Sequence, residues 1–201
     1  MEVSKIHLSS SELELMQNAE IILTKNKILE KMKDLLGEVQ GEQTAFVKQH
    51  SLTNGIFKIP PKISKGENYM GLPYLILDYP RQSSENNFFF IRTMFWWGNF
   101  FSCTLHLAGD TKNLFKENIK QSINDLKNYF ISVNNDQWIH HLEETNYRKI
   151  SSLTKTEFEQ YCDQFNHLKI AGAFSLSEWT NVASNLFDCW KFYLKICGLI
   201  S

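Results

Sequence analysis

Two runs of aromatic and β-branched residues, 88–97 and 100–107, are separated only by Gly98-Asn99. A Gly-Asn pair between two such runs is typical of a β-hairpin closed by a two-residue type II′ turn. A two-residue loop fixes the pairing of the strands, so Trp97 is expected opposite Phe100. This tight hairpin constrains the fold most strongly, because it requires an antiparallel sheet.

The expected pairing divides the side chains of the hairpin between two faces. The first face is apolar except for one arginine and is expected to face the core; it carries Phe90, Arg92, Met94, Trp96, Phe101, Cys103, Leu105 and Leu107. The second face mixes aromatic rings with hydroxyl groups and a histidine; it carries Phe89, Ile91, Thr93, Phe95, Trp97, Phe100, Ser102, Thr104 and His106. A solvated sheet face would carry lysine, glutamate and glutamine instead.

The composition of the second face favours a binding site. Large apolar side chains with a few polar groups among them are typical of ligand pockets, and aromatic residues concentrate in protein interfaces. We therefore expect a ligand to contact Thr93, Trp97, Phe100, Thr104 and His106. The alternative is that a helix of the same chain covers this face and that the hydroxyl groups form local hydrogen bonds.

Arg92 is the one charged residue on the apolar face. A buried guanidinium without a partner would cost roughly the 3–5 kcal/mol that is lost when a buried ion pair is broken. Asp78, near the end of the preceding strand, is the nearest candidate partner, and such a pair would only fix the strand register. Alternatively, Arg92 binds a carboxylate or phosphate of a ligand, with Arg81 as a second anion-binding candidate.

The N-terminal part, 1–50, is predicted to be helical. Ser9-Ser10-Ser11-Glu12 is a capping-box pattern, and apolar residues follow it at helical spacing. A second helical stretch places apolar residues of the segment 28–39 on one face. The periodicity leaves open whether residues 24–27 kink one helix or separate two.

Residues 55–108 are predicted to form an antiparallel sheet. Asn54-Gly55 and Pro60-Pro61 are turn signals that end the helical part. A strand is expected over 71–79, followed by a polar loop over 80–87 and then by the hairpin.

The C-terminal part, 111–201, is predicted to be mainly helical. Helices are expected over 111–129 and 154–168, and a second capping box, Ser175-Leu176-Ser177-Glu178, predicts the start of a C-terminal helix. Residues 131–153 are ambiguous and are interpreted as a turn followed by a short strand. The order of helices, strands and helices indicates an α+β fold, in which a small antiparallel meander is covered by helices.

Composition restricts the classes of function. The chain, 1–201, has a length that fits one α+β domain. Lys and Arg total 21 against 22 Asp and Glu, so the net charge is -1 and no nucleic-acid partner is expected. No run approaches the ~20 apolar residues of a membrane span, and the first residues do not resemble a signal peptide. Four cysteines without a CxxC pair indicate reduced thiols, so we expect a cytoplasmic protein that does not contact membranes.

No motif predicts a nucleophile, a metal or a cofactor. The G-x-S-x-G elbow and the glycine-rich phosphate motifs are absent from the sequence. The segment His140-His141-Leu142-Glu143-Glu144 offers metal-ligand atoms, but without a third ligand at a recognisable spacing it is interpreted as a solvated turn. Cys103 and His106 fall on opposite faces of the expected hairpin, which argues against a catalytic dyad.

We therefore expect a non-catalytic domain that binds a small-molecule ligand or a protein through the aromatic and hydroxyl face. Whether the protein is an enzyme stays open. The alternative is an enzyme acting on a small anionic substrate, with Arg92 as anchor and His106 as acid or base, although the expected pairing places these two on opposite faces. A third alternative is self-association into a homodimer through the aromatic face.

Overall fold

The computed structural model describes residues 5–52 and 55–200, so the predicted turn at Asn54 lies outside the described residues. The strands are β1 (Lys62–Tyr69), β2 (Leu72–Ser84), β3 (Asn87–Trp96), β4 (Phe100–Ala108), β5 (Phe130–Ser132), β6 (Tyr147–Lys149) and β7 (His167–Ser175). The α-helices are α1 (Ser10–Gln17), α2 (Ala19–Gln49), α3 (Asp110–Gln121), α4 (Lys155–Gln164) and α5 (Val182–Ile196).

The strands form one antiparallel sheet in the spatial order β1-β2-β3-β4-β7-β5-β6. The first four strands follow one another as a meander, and β7 then inserts between β4 and β5. Helices pack on this sheet, so the predicted α+β class with an antiparallel meander is confirmed.

The N-terminal helices follow the predicted capping pattern. The Ser9 hydroxyl accepts a hydrogen bond from the backbone N–H of Glu12 at 3.3 Å, and the Glu12 carboxylate accepts one from the backbone N–H of Ser9 at 2.7 Å. The helix is interrupted at Asn18, whose side chain accepts a hydrogen bond from the backbone N–H of Glu20 and so caps α2. Because α2 then runs for 31 residues, residues 24–27 are helix interior.

β3 and β4 form the predicted hairpin, but with a register one residue away from the expected one. Trp96 pairs with Phe100, so the loop holds three residues, 97–99, instead of two. The Asn99 N–H donates to the Trp96 carbonyl at 3.1 Å, and Gly98 adopts a φ of +72°. A glycine in this left-handed conformation suits a three-residue loop as well as a two-residue one, so the sequence signal alone did not fix the loop length.

The one-residue shift moves the side chains of β4 to the other face of the hairpin. The face that packs against the helices, the inner face, carries Phe89, Ile91, Thr93, Phe95, Phe101, Cys103, Leu105 and Leu107. The opposite face, the outer face, carries Phe90, Arg92, Met94, Trp96, Phe100, Ser102, Thr104 and His106. The predicted division of the hairpin was therefore wrong, and Arg92 and His106 lie on the same face.

β2 is longer than the strand predicted over 71–79. It continues through Pro80 into the segment that was expected to be a polar loop, 80–87. The register with β3 shifts between Asp78 and Arg81. This irregularity accommodates a proline, which has no N–H to donate to a neighbouring strand.

The C-terminal part, 111–201, was expected to be mainly helical and also supplies β5, β6 and β7. β7 overlaps the end of the helix predicted over 154–168, and α4 already ends at Gln164. Residues 167–172 of β7 are all buried, so this strand lacks the alternation that marks a strand with one solvated face. The sequence prediction therefore missed the strand.

The core lies between the helices and the inner face. Trp190 and Tyr193 of α5 are fully buried in it. The indole N–H of Trp190 donates to the Tyr79 carbonyl at 2.6 Å, and the Tyr193 hydroxyl donates to the Cys103 carbonyl at 2.9 Å. These bonds fix α5 on β2 and β4. Among the described residues, no helix combines the length and the apolar character that crossing a membrane requires.

Candidate functional site

One long loop lies across the outer face of the sheet. Residues 133–146 join β5 to β6 without a helix or strand of their own, and we name them the covering loop. The Val133 N–H donates to the Asn146 carbonyl at 2.8 Å, so the loop leaves and rejoins the sheet at neighbouring points. Loops of this length without secondary structure are uncommon and usually functional. The surface around this loop is the candidate functional site.

Arg92 on β3 forms a forked ion pair with Asp78 on β2. Its Nε lies 2.8 Å from Oδ1 and its Nη2 lies 2.9 Å from Oδ2. Nη1 lies 3.1 Å from Nε2 of His140 in the covering loop, and because a guanidinium only donates, this ring nitrogen accepts. The side chains of Arg92 and Asp78 are 17% and 16% exposed, so solvent reaches the pair. The pair suggested by the sequence is present, and it is not sealed.

Lys169 on β7 is fully buried beneath the covering loop. Its Nζ donates to the carbonyl oxygens of Gln137 at 2.9 Å and Ile139 at 2.5 Å, and lies 5.5 Å from the ring centroid of Tyr147. Burial, followed by the charge of Arg92, lowers the pKa of Lys169 to about 7. The loop is therefore attached to β7 by a buried amine whose charged form is disfavoured.

His106 on β4 lies opposite Lys169 and is almost fully buried. Its Nε2 lies 3.1 Å from Oε1 of Gln137, and because an amide oxygen only accepts, this nitrogen carries the proton. Three aromatic rings surround the imidazole: Phe88, Phe90 and Trp138. Burial, followed by the charge of Lys169, holds the pKa of His106 well below its ordinary value, so the ring is neutral at neutral pH.

Tyr69, the last residue of β1, anchors the covering loop at a further point. Its hydroxyl oxygen accepts the backbone N–H groups of His140 at 2.6 Å and His141 at 3.2 Å. The same oxygen lies 3.0 Å from Nδ1 of His141, to which it can donate its proton. The loop is therefore fixed to the sheet through side chains of four strands, β1, β3, β4 and β7.

The site brings two basic side chains, Arg92 and Lys169, to the outer face, although the whole chain has a net charge of -1. Arg92 is paired with Asp78, whereas Lys169 donates to backbone carbonyls and pairs with no carboxylate of the described residues. Burial first, and then the charges of Lys169 and Arg92, hold the pKa of His140 well below its ordinary value. Burial disfavours a charge of either sign, so only the smaller contribution, from Lys169 and Arg92, favours an anion at this site.

An apolar patch continues the outer face toward the hairpin loop. It is a cluster of buried side chains with half-buried neighbours, which we name the aromatic shelf: Ile76, Met94, Trp96, Tyr69, Leu72, Tyr74 and Phe100. The indole N–H of Trp96 donates to the carbonyl of Tyr69 at 3.2 Å. Since Tyr69 also contacts His140, the shelf is directly connected to the polar cluster around Arg92.

The structure brings together only some of the predicted ligand-binding residues. Arg92 and Thr104 are direct cross-strand neighbours, and His106 follows on the same face. Phe100 lies farther along this face, in the aromatic shelf.

The other two predicted residues lie elsewhere. Thr93 is fully buried on the inner face, where its hydroxyl lies 4.0 Å from the sulfur of Cys103. Trp97 belongs to the hairpin loop and packs against the core cluster on the inner side. Neither contacts the covering loop, so the predicted set is not one surface. Arg81, the second anion-binding candidate, donates to the Pro60 carbonyl at 2.6 Å, away from the site.

Sequence reasoning missed several residues of the site. His140 and His141, interpreted as part of a solvated turn, are half-buried and contact Arg92 and Tyr69. Lys169 did carry a signal, because a single lysine in an otherwise apolar run requires a partner when the run is buried. The contact between Tyr69 and His140 spans 71 residues, and no local pattern predicts it.

The described residues contain no group of three or more His, Cys, Asp or Glu side chains placed to hold a metal ion. All four cysteines are buried, and none of them forms a disulfide bond.

Comparison of the chain with protein-family models, with curated protein sequences and with solved structures finds no significant match.

Proposed function

We propose that the protein binds a small anion with an apolar part, without catalysis, on the outer face between Arg92 and the aromatic shelf. The observation that carries the proposal is the position of the partly exposed Arg92–Asp78 pair, which lies beside the shelf and beneath a loop fixed by a buried lysine. A largely apolar surface with a few convergent polar groups is typical of small-molecule sites.

Arg92 retains donors for such a ligand. A guanidinium has five N–H groups, and the contacts to Asp78 and His140 engage three of them. The remaining two can donate to a carboxylate or phosphate. Because Asp78 fixes the plane of the guanidinium, binding loses little side-chain entropy.

The aromatic shelf supports an apolar part in the ligand. Tyr74 and Phe100 are half-buried at its border, and Trp96 is almost fully buried beneath them. A ring or short alkyl chain that covered Tyr74 and Phe100 would remove apolar surface from water, at about 25 cal/mol for each Å². The anionic group would then lie toward Arg92.

A matched pair of probes tests this proposal. Phenyl phosphate and benzyl alcohol share a ring and differ in the anionic group. Calorimetry and tryptophan fluorescence both report their binding. We expect phenyl phosphate to bind at least about tenfold more tightly, a difference of about 1.4 kcal/mol. Arg92→Gln should remove this preference, whereas Arg148→Gln, which changes an exposed arginine on β6, should leave it intact. Equal affinities for both probes, or a preference that survives Arg92→Gln, would refute the proposal.

A second candidate function is an enzyme acting on a small anionic substrate, with Arg92 as anchor and His106 as acid or base. One observation favours it, because both side chains lie on the outer face. Against it, His106 is almost fully buried and its Nε2 donates to Gln137. Phenyl phosphate recovered unchanged after incubation supports the binding protein. Turnover that disappears in His106→Asn supports the enzyme.

A further inference from the structure

The first helical residues are largely exposed, and Lys25 joins them to Glu67 on β1 through an ion pair of 2.6 Å. α1 has no buried residue, and Leu29 is the first buried residue of α2. We name the segment 10–27 the arm. Six of its large apolar side chains are between 41% and 67% exposed: Leu13, Leu15, Met16, Ile21, Ile22 and Leu23. Such a concentration of exposed apolar side chains in one segment of a globular protein is typical of an interaction site.

An apolar groove lies at the base of the arm. It has a volume of about 350 Å³ and is lined mainly by carbon atoms of Ile28, Met32, Phe95, Trp97, Leu176 and Trp179. Trp179 is 44% exposed at its border. The exposed apolar surface of the arm therefore continues into the groove.

The arm does not stabilise itself. α1 has eight residues, and helices shorter than about 12–15 residues are marginal in water unless an apolar face is buried. Its capping box closes the N-terminus, but no side chain of α1 packs against the body of the chain. An ordered α1 therefore needs a surface that covers it.

The charges of the arm and of the next turns of α2 are segregated. Residues 10–23 carry three acidic side chains and no basic one: Glu12, Glu14 and Glu20. Residues 24–33 carry four lysines and one acidic residue: Lys25, Lys27, Lys31, Lys33 and Glu30. Lys25 pairs with Glu67 of its own chain, which leaves Lys27, Lys31 and Lys33 without an ion pair inside the described chain. The arrangement is self-complementary, because the acidic segment of one copy fits these lysines of a second copy that runs in the opposite direction.

We propose that the arm forms the interface of a two-fold symmetric homodimer, in which two arms pack antiparallel and cover each other's apolar side chains. In a two-fold interface, residue i of one copy contacts residue j of the other and the reverse contact also forms. In the register that we propose, the two-fold axis lies between Ile22 and Leu23 and pairs Glu14 with Lys31 of the second copy, and Glu12 with Lys33. Every such contact forms twice. The grooves lie at the two ends of the paired arms and receive the partner's α1.

This interface is separate from the proposed ligand site. The arm and the groove lie on the helical side of the sheet, whereas Arg92 and the covering loop lie on the outer face. Dimerisation and ligand binding can therefore be tested independently.

Sedimentation velocity over a range of concentrations tests the dimer. We expect the molecular mass obtained for the wild-type protein to be twice the chain mass of 23.5 kDa. Ile22→Glu places charges at the two-fold axis and should give a folded monomer, because Ile22 is exposed within one chain. Its circular dichroism should change by no more than the helical signal of the eight residues of α1. A monomeric wild type, or a dimer that survives Ile22→Glu, would overturn the proposal.

Charge reversal tests the antiparallel register. Glu14→Lys and Lys31→Glu each create two like-charge contacts, and we expect each variant alone to dimerise about tenfold more weakly than wild type. An equimolar mixture of the two variants restores both ion pairs and should dimerise like wild type. Glu38→Lys, at an exposed position farther along α2, is the matched control and should not change the dimer. If the mixture dimerises no better than the separate variants, the antiparallel register is wrong.

Discussion

Arg92 and Asp78 face each other across β2 and β3 with two nearly equal hydrogen bonds, 2.8 Å from Nε to Oδ1 and 2.9 Å from Nη2 to Oδ2. A forked pair of this kind fixes the plane of the guanidinium as well as its position. It also fixes the strand register, since a slip of one residue would move one partner to the inner face. The pair therefore stabilises the sheet and orients the donors of the proposed site.

Removing both partners of this pair should cost less than the sum of the costs of removing each one alone. Arg92→Met leaves the Asp78 carboxylate largely buried and unpaired, so we expect a loss of about 2–3 kcal/mol, less than for a fully buried pair because solvent reaches this one. The double variant Asp78→Asn, Arg92→Met should lose less than the sum of the single variants. Urea unfolding measures all three. Strict additivity of the two losses would show that the pair contributes no coupling energy.

Lys169 should contribute a stabilising free energy that rises with pH. Its pKa is about 7 in the folded protein and 10.5 in an ordinary lysine, so the unfolded chain binds more protons between these two values. The contribution of Lys169 to stability therefore increases with pH from about 7 to 10.5, by a few kcal/mol. Above about pH 9 the buried thiols make the opposite contribution, because burial raises the pKa of Cys162 and Cys197 to about 12. Lys169→Met should lack this increase. The measurement is the free energy of unfolding in urea at several pH values, and parallel curves for wild type and variant would contradict the assignment.

His167 should make the protein sensitive to acid. Its ring stacks on Phe165, and burial, followed by the charge of Lys169, lowers the pKa of His167 from 6.5 to about 4. The unfolded chain takes up the proton first as pH falls, so stability decreases from pH 6.5 to about pH 4, by about 3 kcal/mol. His167→Gln should make this part of the curve less steep, whereas His7→Gln, at an exposed position, should not. A slope should remain in His167→Gln, because the pKa values of His106 and His140 are also held low. A curve unchanged by His167→Gln would exclude this residue as the cause.

The sequence predicts local features of this fold well, because short-range rules govern them. The capping box at Ser9 and Glu12, the helical segment 28–39 and the hairpin around Gly98 each depend on residues a few positions apart. The prediction fails where one sequence pattern is compatible with two local structures. A Gly-Asn pair fits loops of two and three residues, and this single choice decides which face of β4 is buried.

The candidate site was largely beyond prediction because chain topology assembles it. Lys169 meets the covering loop only because β7 inserts between β4 and β5, and that strand has no alternating pattern by which to recognise it. His140 meets Arg92 across 48 residues of sequence. The Arg92–Asp78 pair was predictable by contrast, since adjacent strands of a meander bring it together and a buried charge requires a partner.

Gly98 should control the stability of the hairpin through its backbone conformation alone. No atom lies within 4 Å of the position that a Cβ would occupy, so a larger residue meets no clash there. The φ of +72° nevertheless costs roughly 1 kcal/mol for an alanine, whereas asparagine tolerates this region better. We therefore expect Gly98→Ala to lower the melting temperature by about 2–4 °C and Gly98→Asn to lower it less. Calorimetry of both variants measures the difference. If both variants had the same melting temperature, well below that of wild type, the cause would be steric or packing strain and not the backbone conformation.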